Sequence, residues 1–278
     1  MSETSLQVFR HHAMATQIQV RIADQEKAYA AQAAQAAFAL ADDLESRLSR
    51  FRAHSEISQI AQLLPGDKLR LSEPVLACLT MARRMEFATR GAFSATASAL
   101  KNQPTQPLWA LLPAEFSLRC DSGRIELDLG AIGKGFVLDR MAELLREWDC
   151  PSFLLVAGGS SVLAGAAPAG TSGWDCGLGD DQSARRHWLT EISLSGSGLA
   201  GQGAHIFDPR IGQPAQRQQR AWALAATAAE SDALSTAAMV LDEIEITEVT
   251  RRNPDWLVLL HEENQWRTLG LRPLPPIA

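Results

Sequence analysis

The chain has 278 residues, 46% of them apolar, and a formal net charge of −6. That is enough for one large domain or two modest ones, and too apolar for a disordered chain. No basic run or patch is present, which argues against nucleic-acid binding.

The first strand is expected in "MATQIQVRI", which alternates polar and apolar residues. Residues 25–52 lack Gly and Pro and are rich in Ala, Gln, Leu and Glu, which predicts a long helix with Phe38, Leu40, Leu44 and Leu48 among its apolar positions. A second helix is expected over 73–89, with Pro74 in its first turn and Gly91 just past its end. "QPTQPLWALLPAEF" reads as irregular, "GRIELDL" as a strand and "GKGFVLDRMAELLREW" as a helix. "SFLLVAG" is a buried strand ended by Gly158 and Gly159, followed by strands around Trp188–Leu194 and Trp222–Ala226. "SDALSTAAMVLD" is a short helix, and "DWLVLLH" with "QWRTLGL" a closing hairpin. Without a steady βαβ alternation the mixture favours an α+β fold. Cys78, Cys120, Cys150 and Cys176 are far apart, form no C-x-x-C and are expected as buried thiols. The opening "MSETSLQVFRHHAMATQ" has no apolar signal-peptide core, and no stretch reaches 18 apolar residues, so the chain reads as cytoplasmic.

Four segments carry residues suited to chemistry. Asp232 and Thr236 are four apart, so on a helix a carboxylate and a hydroxyl share one face and can reach one hard cation. The same residues also suit a helix whose cap is Ser231 or Asp232. In "DLGAIGKGFVLD", Gly130, Gly133 and Gly135 surround Lys134 where a strand gives way to a helix. Such a junction can face phosphate, or can be a tight turn with a surface lysine. Its spacing is not that of a Walker A loop. Gly196, Gly198 and Gly201 match G-x-G-x-x-G, yet Gly203 and Pro209 follow where a helix should open, so a Rossmann loop is not expected. His205 stands three residues before Asp208-Pro209-Arg210 and suits a general base, or is merely a strand residue before a turn.

In order and spacing, these segments together resemble the ApbE family, the FAD:protein FMN transferases. Met14-Ala15-Thr16 resembles the family's M-G-T. Ser49, Phe51 and Ser55-Glu56-Ile57-Ser58 resemble a serine-aromatic pattern on its first long helix. Gly91-Ala92-Phe93-Ser94-Ala95-Thr96 resembles G-A-F-D-P-T, and Asp128 through Gly135 with Phe136 and Asp139 resembles D-L-G-G-I-A-K-G-Y-x-x-D. Gly158-Gly159, Ser195 through Gly198, His205 through Gly212, and Ser231 through Thr236 complete the set. The resemblance spans roughly residues 8–270.

It implies a T-fold-related α+β architecture with mostly antiparallel sheets, one domain over 1–278, and a site in a cleft between two lobes. It implies Mg²⁺ held by Asp232, Thr236 and the Gly133 carbonyl. It implies FAD held around Met14, Ser49, Thr96, Asp128, Lys134, Asp139, Gly158, Gly159, Ser197 and Gly198, with His205 as base toward a threonine or serine of an acceptor flavoprotein. FMN would pass to that hydroxyl and AMP would leave. An FAD pyrophosphatase and a flavin binder without turnover are the alternatives. The chain departs from the family pattern at Ala15, Ser94, Ala131, Gly133, Leu199, Ala200 and Ile211.

Overall fold

The computed structural model describes residues 6–96, 108–178, 185–198, 206–215, 220–262 and 265–278. Strands β1 (Gln7–Ala13) and β2 (Thr16–Ile22) form a hairpin that opens an antiparallel sheet. The sheet continues through β6 (Phe153–Ala157), β7 (Ser161–Ala164), β10 (Ile192–Gly198), β13 (Arg220–Ala225), β14 (Leu257–Glu262) and β15 (Gln265–Gly270). Period-two alternation divides these strands between two cores. Ile18, Val20, Ile22, Leu155, Ala223 and Val258 face helices α1 (Lys27–Leu48), α4 (Gly133–Glu147) and α5 (Ala228–Ala238). Leu154, Leu194, Leu224, Leu257 and Leu259 face the other way, into a second core shared with the hairpin of β8 (Trp174–Leu178) and β9 (Arg185–Leu189).

The remaining elements are α2 (Glu56–Ile60), α3 (Glu73–Ala88), α6 (Glu243–Arg252), a β3–β5–β4 sheet (Lys68–Arg70, Ser117–Ser122, Leu108–Leu112), and a short β11–β12 pair (Phe207–Asp208, Gln213–Pro214). The fold is thus α+β with antiparallel sheets, as expected. The four cysteines are free and buried. Among the described residues no helix is long and apolar enough to cross a membrane.

Several boundaries differ from the expectation. "GRIELDL" is not a strand; Ile125, Leu127 and Leu129 are buried alternately along an extended segment, so the alternation reported burial without a ladder. "LWALL", expected as irregular, is β4. Trp188–Leu194 spans the end of β9, a turn, and the start of β10. The buried stripe of α1 is mainly Ala30, Ala33, Ala34, Ala37 and Ala41, with Leu44 and Leu48, while Phe38 is only half-buried. Small residues at helical spacing let α1 lie close to its neighbours.

The β1–β2 turn explains one departure and yields a prediction. Met14 and Ala15 both have φ of 55°, the left-handed region that a two-residue hairpin demands and glycine fits best. Ala15→Gly should therefore stabilise the protein by about 1 kcal/mol. Urea unfolding of the two proteins checks this, and an unchanged or lowered midpoint would contradict it.

Candidate active site

Two helix N-termini meet beneath the sheet. Gly135 and Asp139 are four apart on α4 and share one face. Asp139 accepts the Ala228 and Ala229 N–H groups at 2.6 and 2.9 Å, which satisfies two first-turn amides of α5. A Cβ on Gly135 would lie 2.1 Å from the Ala228 carbonyl oxygen. Glycine is needed there for the close approach of two backbones. Thr227 is the N-cap of α5 and its side chain accepts the Glu230 N–H. Neither Ser231 nor Asp232 is a cap.

Asp232 lies one turn further along α5 and is 4% exposed. Its Oδ2 accepts from the Gly135 N–H at 3.3 Å and from Lys134 Nζ at 3.4 Å, and its Oδ1 from the Ser161 hydroxyl at 3.2 Å. A well-held buried carboxylate makes shorter contacts, roughly 2.7–2.9 Å to charged donors. Three long contacts leave this one under-coordinated. The Thr236 hydroxyl sits a turn away, 3.3 Å from the Ser197 hydroxyl and 3.3 Å from the Asp232 carbonyl oxygen. One carboxylate and one hydroxyl are hard oxygen donors, the chemistry that suits magnesium when substrate phosphate supplies the rest; the Gly133 carbonyl belongs to the first residue of α4. Among the described residues no three His, Cys, Asp or Glu side chains cluster as a metal site, so a cation here would rely on that mixed set.

A hydroxyl ladder fixes α5 against β10. Ser193 and Ser195 each lie 2.8 Å from Ser231, and Ser197 lies 3.0 Å from Ser235. Ser195, Ser197, Ser231 and Ser235 lie in the motif segments of the sequence, but their pairing was not read there, although the signal is present: alternate residues on one strand face and i,i+4 residues on a helix. Gly196 points to the opposite face, where a Cβ would meet the Trp222 ring at 2.9 Å. The first two glycines of the G-x-G-x-x-G match thus lie in β10, which ends at Gly198, and Gly201 lies outside the described residues.

This geometry coincides with a sequence match. The ApbE family model matches residues 14–260. The chain belongs to the ApbE family. Two relatives named FAD:protein FMN transferase come from Haemophilus influenzae and Salmonella typhimurium. The first is 24% identical and covers 77% of this chain and 74% of its own; the second is 23% identical and covers 70% and 67%. The flavinyl transferase ApbE of Pseudomonas stutzeri superposes with a TM-score of 0.81 over 95% of this chain and 94% of its own, at 19% identity. The ApbE protein of Thermotoga maritima superposes with a TM-score of 0.80 over 95% and 97%, at 20% identity.

The other ApbE motif residues are distributed around this centre. Gly158 and Gly159 turn β6 into β7 with φ of 59° and 70°, and Gly158 packs against Thr16. Met14 lies beside Gly133, where a Cβ would meet its Cε at 3.4 Å. Asp128 accepts the Gly130 N–H at 2.9 Å and pairs with Arg50 at 3.3 Å. Ser49 is the C-cap of α1, so the serine-aromatic pattern follows the first long helix and is not on it; Phe51 is 83% exposed. Thr96 is buried, 3.0 Å from Ser94. Ser197 and Gly198 end β10. His205, Leu199 and Ala200 lie outside the described residues. Just beyond, Arg210 holds Asp208 through two pairs of atoms and reaches Glu245 at 2.6 Å, which ties the D-P-R turn to the capping box of α6. Ile211 is exposed on that turn.

Burial pushes the Asp139 carboxyl up to about 7, with Glu230 and Glu143 adding to the rise and the two accepted amides opposing it. Between about pH 4 and 7 the folded state keeps a proton that the unfolded chain has released. This contribution to stability is complete below the ordinary carboxylate range and is lost as pH rises through 7, at up to about 1.4 kcal/mol per unit. Asp139→Asn should flatten that segment of the profile. Urea unfolding from pH 4 to 8 on both proteins checks it, and parallel profiles would refute the assignment.

Proposed function

We propose that this chain transfers FMN from FAD to a threonine or serine hydroxyl of an acceptor flavoprotein. The acceptor oxygen bonds to the FMN-side phosphorus, the bond from that phosphorus to the AMP oxygen breaks, and the hydroxyl proton passes to a base, assigned to His205. The observation that carries this reading is the under-coordinated Asp232 carboxylate, buried opposite the N-terminus of α4 and Lys134 in a chain of the ApbE family.

Phosphoryl transfer needs position and charge neutralisation more than covalent help from the protein. Mg²⁺ held by Asp232, Thr236 and the Gly133 carbonyl would neutralise charge on the pyrophosphate and on the departing AMP. Lys134 offers a second positive charge, and the first amides of α4 offer donors to phosphate oxygens. Met14, Ser49, Thr96, Asp128, Gly158, Gly159, Ser197 and Gly198 are assigned to the surround of FAD. Asp139 accepts two α5 amides and is assigned to positioning Asp232 through α5 at the edge of the FAD site.

The test is AMP release from FAD and Mg²⁺, with and without a flavoprotein acceptor, alongside detection of covalent FMN on the acceptor. Acceptor-dependent AMP with labelled acceptor is expected. AMP without any acceptor would make the protein a pyrophosphatase, and FAD binding without AMP would make it a binder. His205→Ala should slow transfer by at least about 10²-fold while FAD affinity holds. An unchanged rate removes His205 from the mechanism.

A further inference from the structure

A hydroxyl stands where the packing calls for an apolar side chain. β7 runs between β6 and β10 in the middle of the large sheet. Its helix-facing positions are Ser161 and Leu163, and the residues beside them on β6 are Ala157 and Leu155. Ser161 is 0% exposed. A buried hydroxyl is costly unless it finds a partner. Ser161 donates to Asp232 Oδ1 at 3.2 Å. Among the described residues neither that hydroxyl nor that carboxylate oxygen has another hydrogen-bond partner.

The backbone that carries Ser161 is tied on both sides. The Gly158–Gly159 turn leads into it, the Ser160 carbonyl accepts the Gly196 N–H at 2.7 Å, and Ser161 is in register with Ala157 on β6 and Ser195 on β10. The other carboxylate oxygen of Asp232, Oδ2, faces α4, where Lys134 Nζ and the Gly135 N–H donate to it. The two oxygens therefore have unlike donors, one of them cationic on the helix side and a neutral one on the sheet side. Rotation about the Cβ–Cγ bond would let both oxygens share the Lys134 ammonium, and that would cancel charge the carboxylate otherwise keeps. A neutral hydroxyl on Oδ1 opposes the rotation without neutralising anything itself.

We infer that Ser161 is a positioning residue of the cation site: its hydroxyl fixes the plane of the Asp232 carboxylate, so that the charge stays available to a divalent cation and is not drawn onto Lys134. The inference rests on the metal reading of Asp232 above and adds the residue that orients it. Ser161 acts through Asp232 alone. Ser193 provides the comparison. It is equally buried on the same sheet face, but its hydroxyl donates to the Val162 carbonyl at 2.7 Å and lies 2.8 Å from Ser231, with no contact to Asp232. Ser195 continues to hold Ser231 when Ser193 is truncated.

Mn²⁺ binding followed by electron paramagnetic resonance, with FAD present and no acceptor, tests this on wild type, Ser161→Ala, Ser161→Cys and Ser193→Ala. Thermal unfolding of each protein without metal reports its stability. Ser161→Ala and Ser193→Ala each remove one buried hydroxyl, so a purely structural role predicts similar falls in Tm and equal Mn²⁺ affinities. Ser161→Ala is expected to weaken Mn²⁺ binding by about tenfold or more, as loss of a partner that orients a metal ligand does elsewhere. Ser193→Ala should leave it unchanged. Ser161→Cys fills the site with a weaker donor and should fall between wild type and Ser161→Ala. FAD affinity measured without metal should be the same in all four proteins. Wild-type Mn²⁺ affinity in Ser161→Ala overturns the inference. So does an equal loss in Ser193→Ala, because that marks a general loosening of α5 against the sheet. If wild type binds FAD but takes up no Mn²⁺, the metal reading of Asp232 fails first, and this inference with it.

Discussion

Asp232→Asn should leave the fold intact and cut acceptor-dependent AMP release by on the order of 10³-fold. Asparagine can keep its carbonyl oxygen toward the Gly135 N–H and donate its amide N–H to the Ser161 hydroxyl, and Lys134 is partly exposed, so its charge is not stranded. The stability change should therefore stay within about 1 kcal/mol. What is lost is the negative charge that a cation needs beside the pyrophosphate, where charge builds as AMP departs. Were Asp232 only a helix cap, Asn would serve about as well and both quantities would hold. The cap is Thr227, five residues earlier, so that escape is closed by the geometry. Thermal unfolding paired with a Mg²⁺ titration of AMP release decides the matter. Wild-type turnover at ordinary Mg²⁺ would sink the metal assignment.

Gly135→Ala should be among the most damaging single-methyl additions in the described residues. The added carbon would stand 2.1 Å from the Ala228 carbonyl oxygen and 2.6 Å from the Ala229 nitrogen, both backbone atoms that no rotamer change can move. The helices must separate, and overpacking of this kind costs about 3 kcal/mol, a fall of roughly 10 °C in Tm for a chain of this size. The same separation pulls Lys134 and the Gly135 amide from Asp232, so turnover should drop along with stability. Gly177→Ala is the control. It lies in β8 with only the Arg186 guanidinium near, at 3.9 Å, and should change stability by less than about 0.5 kcal/mol. Equal Tm values for the two variants would show that α4 and α5 are not locked as described.

Much of this was legible in the amino-acid sequence. Helical and strand periodicities reported α1, α3, α4, β6 and the β14–β15 hairpin, because each pattern records which side of one element is apolar. The order of the motifs from Met14 to Thr236 was sufficient for the family, since eight short segments in one order do not recur by chance. The i,i+4 spacing of Asp232 and Thr236 placed two oxygen donors on one helix face before any tertiary contact was known.

Other features depended on elements far apart in the chain. "GRIELDL" alternates like a strand but has no ladder; pairing requires a neighbour, and alternation speaks only of burial. The sequence left Asp232 open between cap and ligand; the tertiary structure removed the cap by starting α5 at Ala228 with Thr227 before it, where Asp139 and Gly135 receive the helix. Ser161 carried no signal until α5 brought Asp232 to 3.2 Å from its hydroxyl. In each case the deciding contact joins residues from separate elements, 97 positions apart for Gly135 and Asp232. Periodicity is a property of one segment, so it can say which side of a helix is buried but not which atoms of another helix it will meet there.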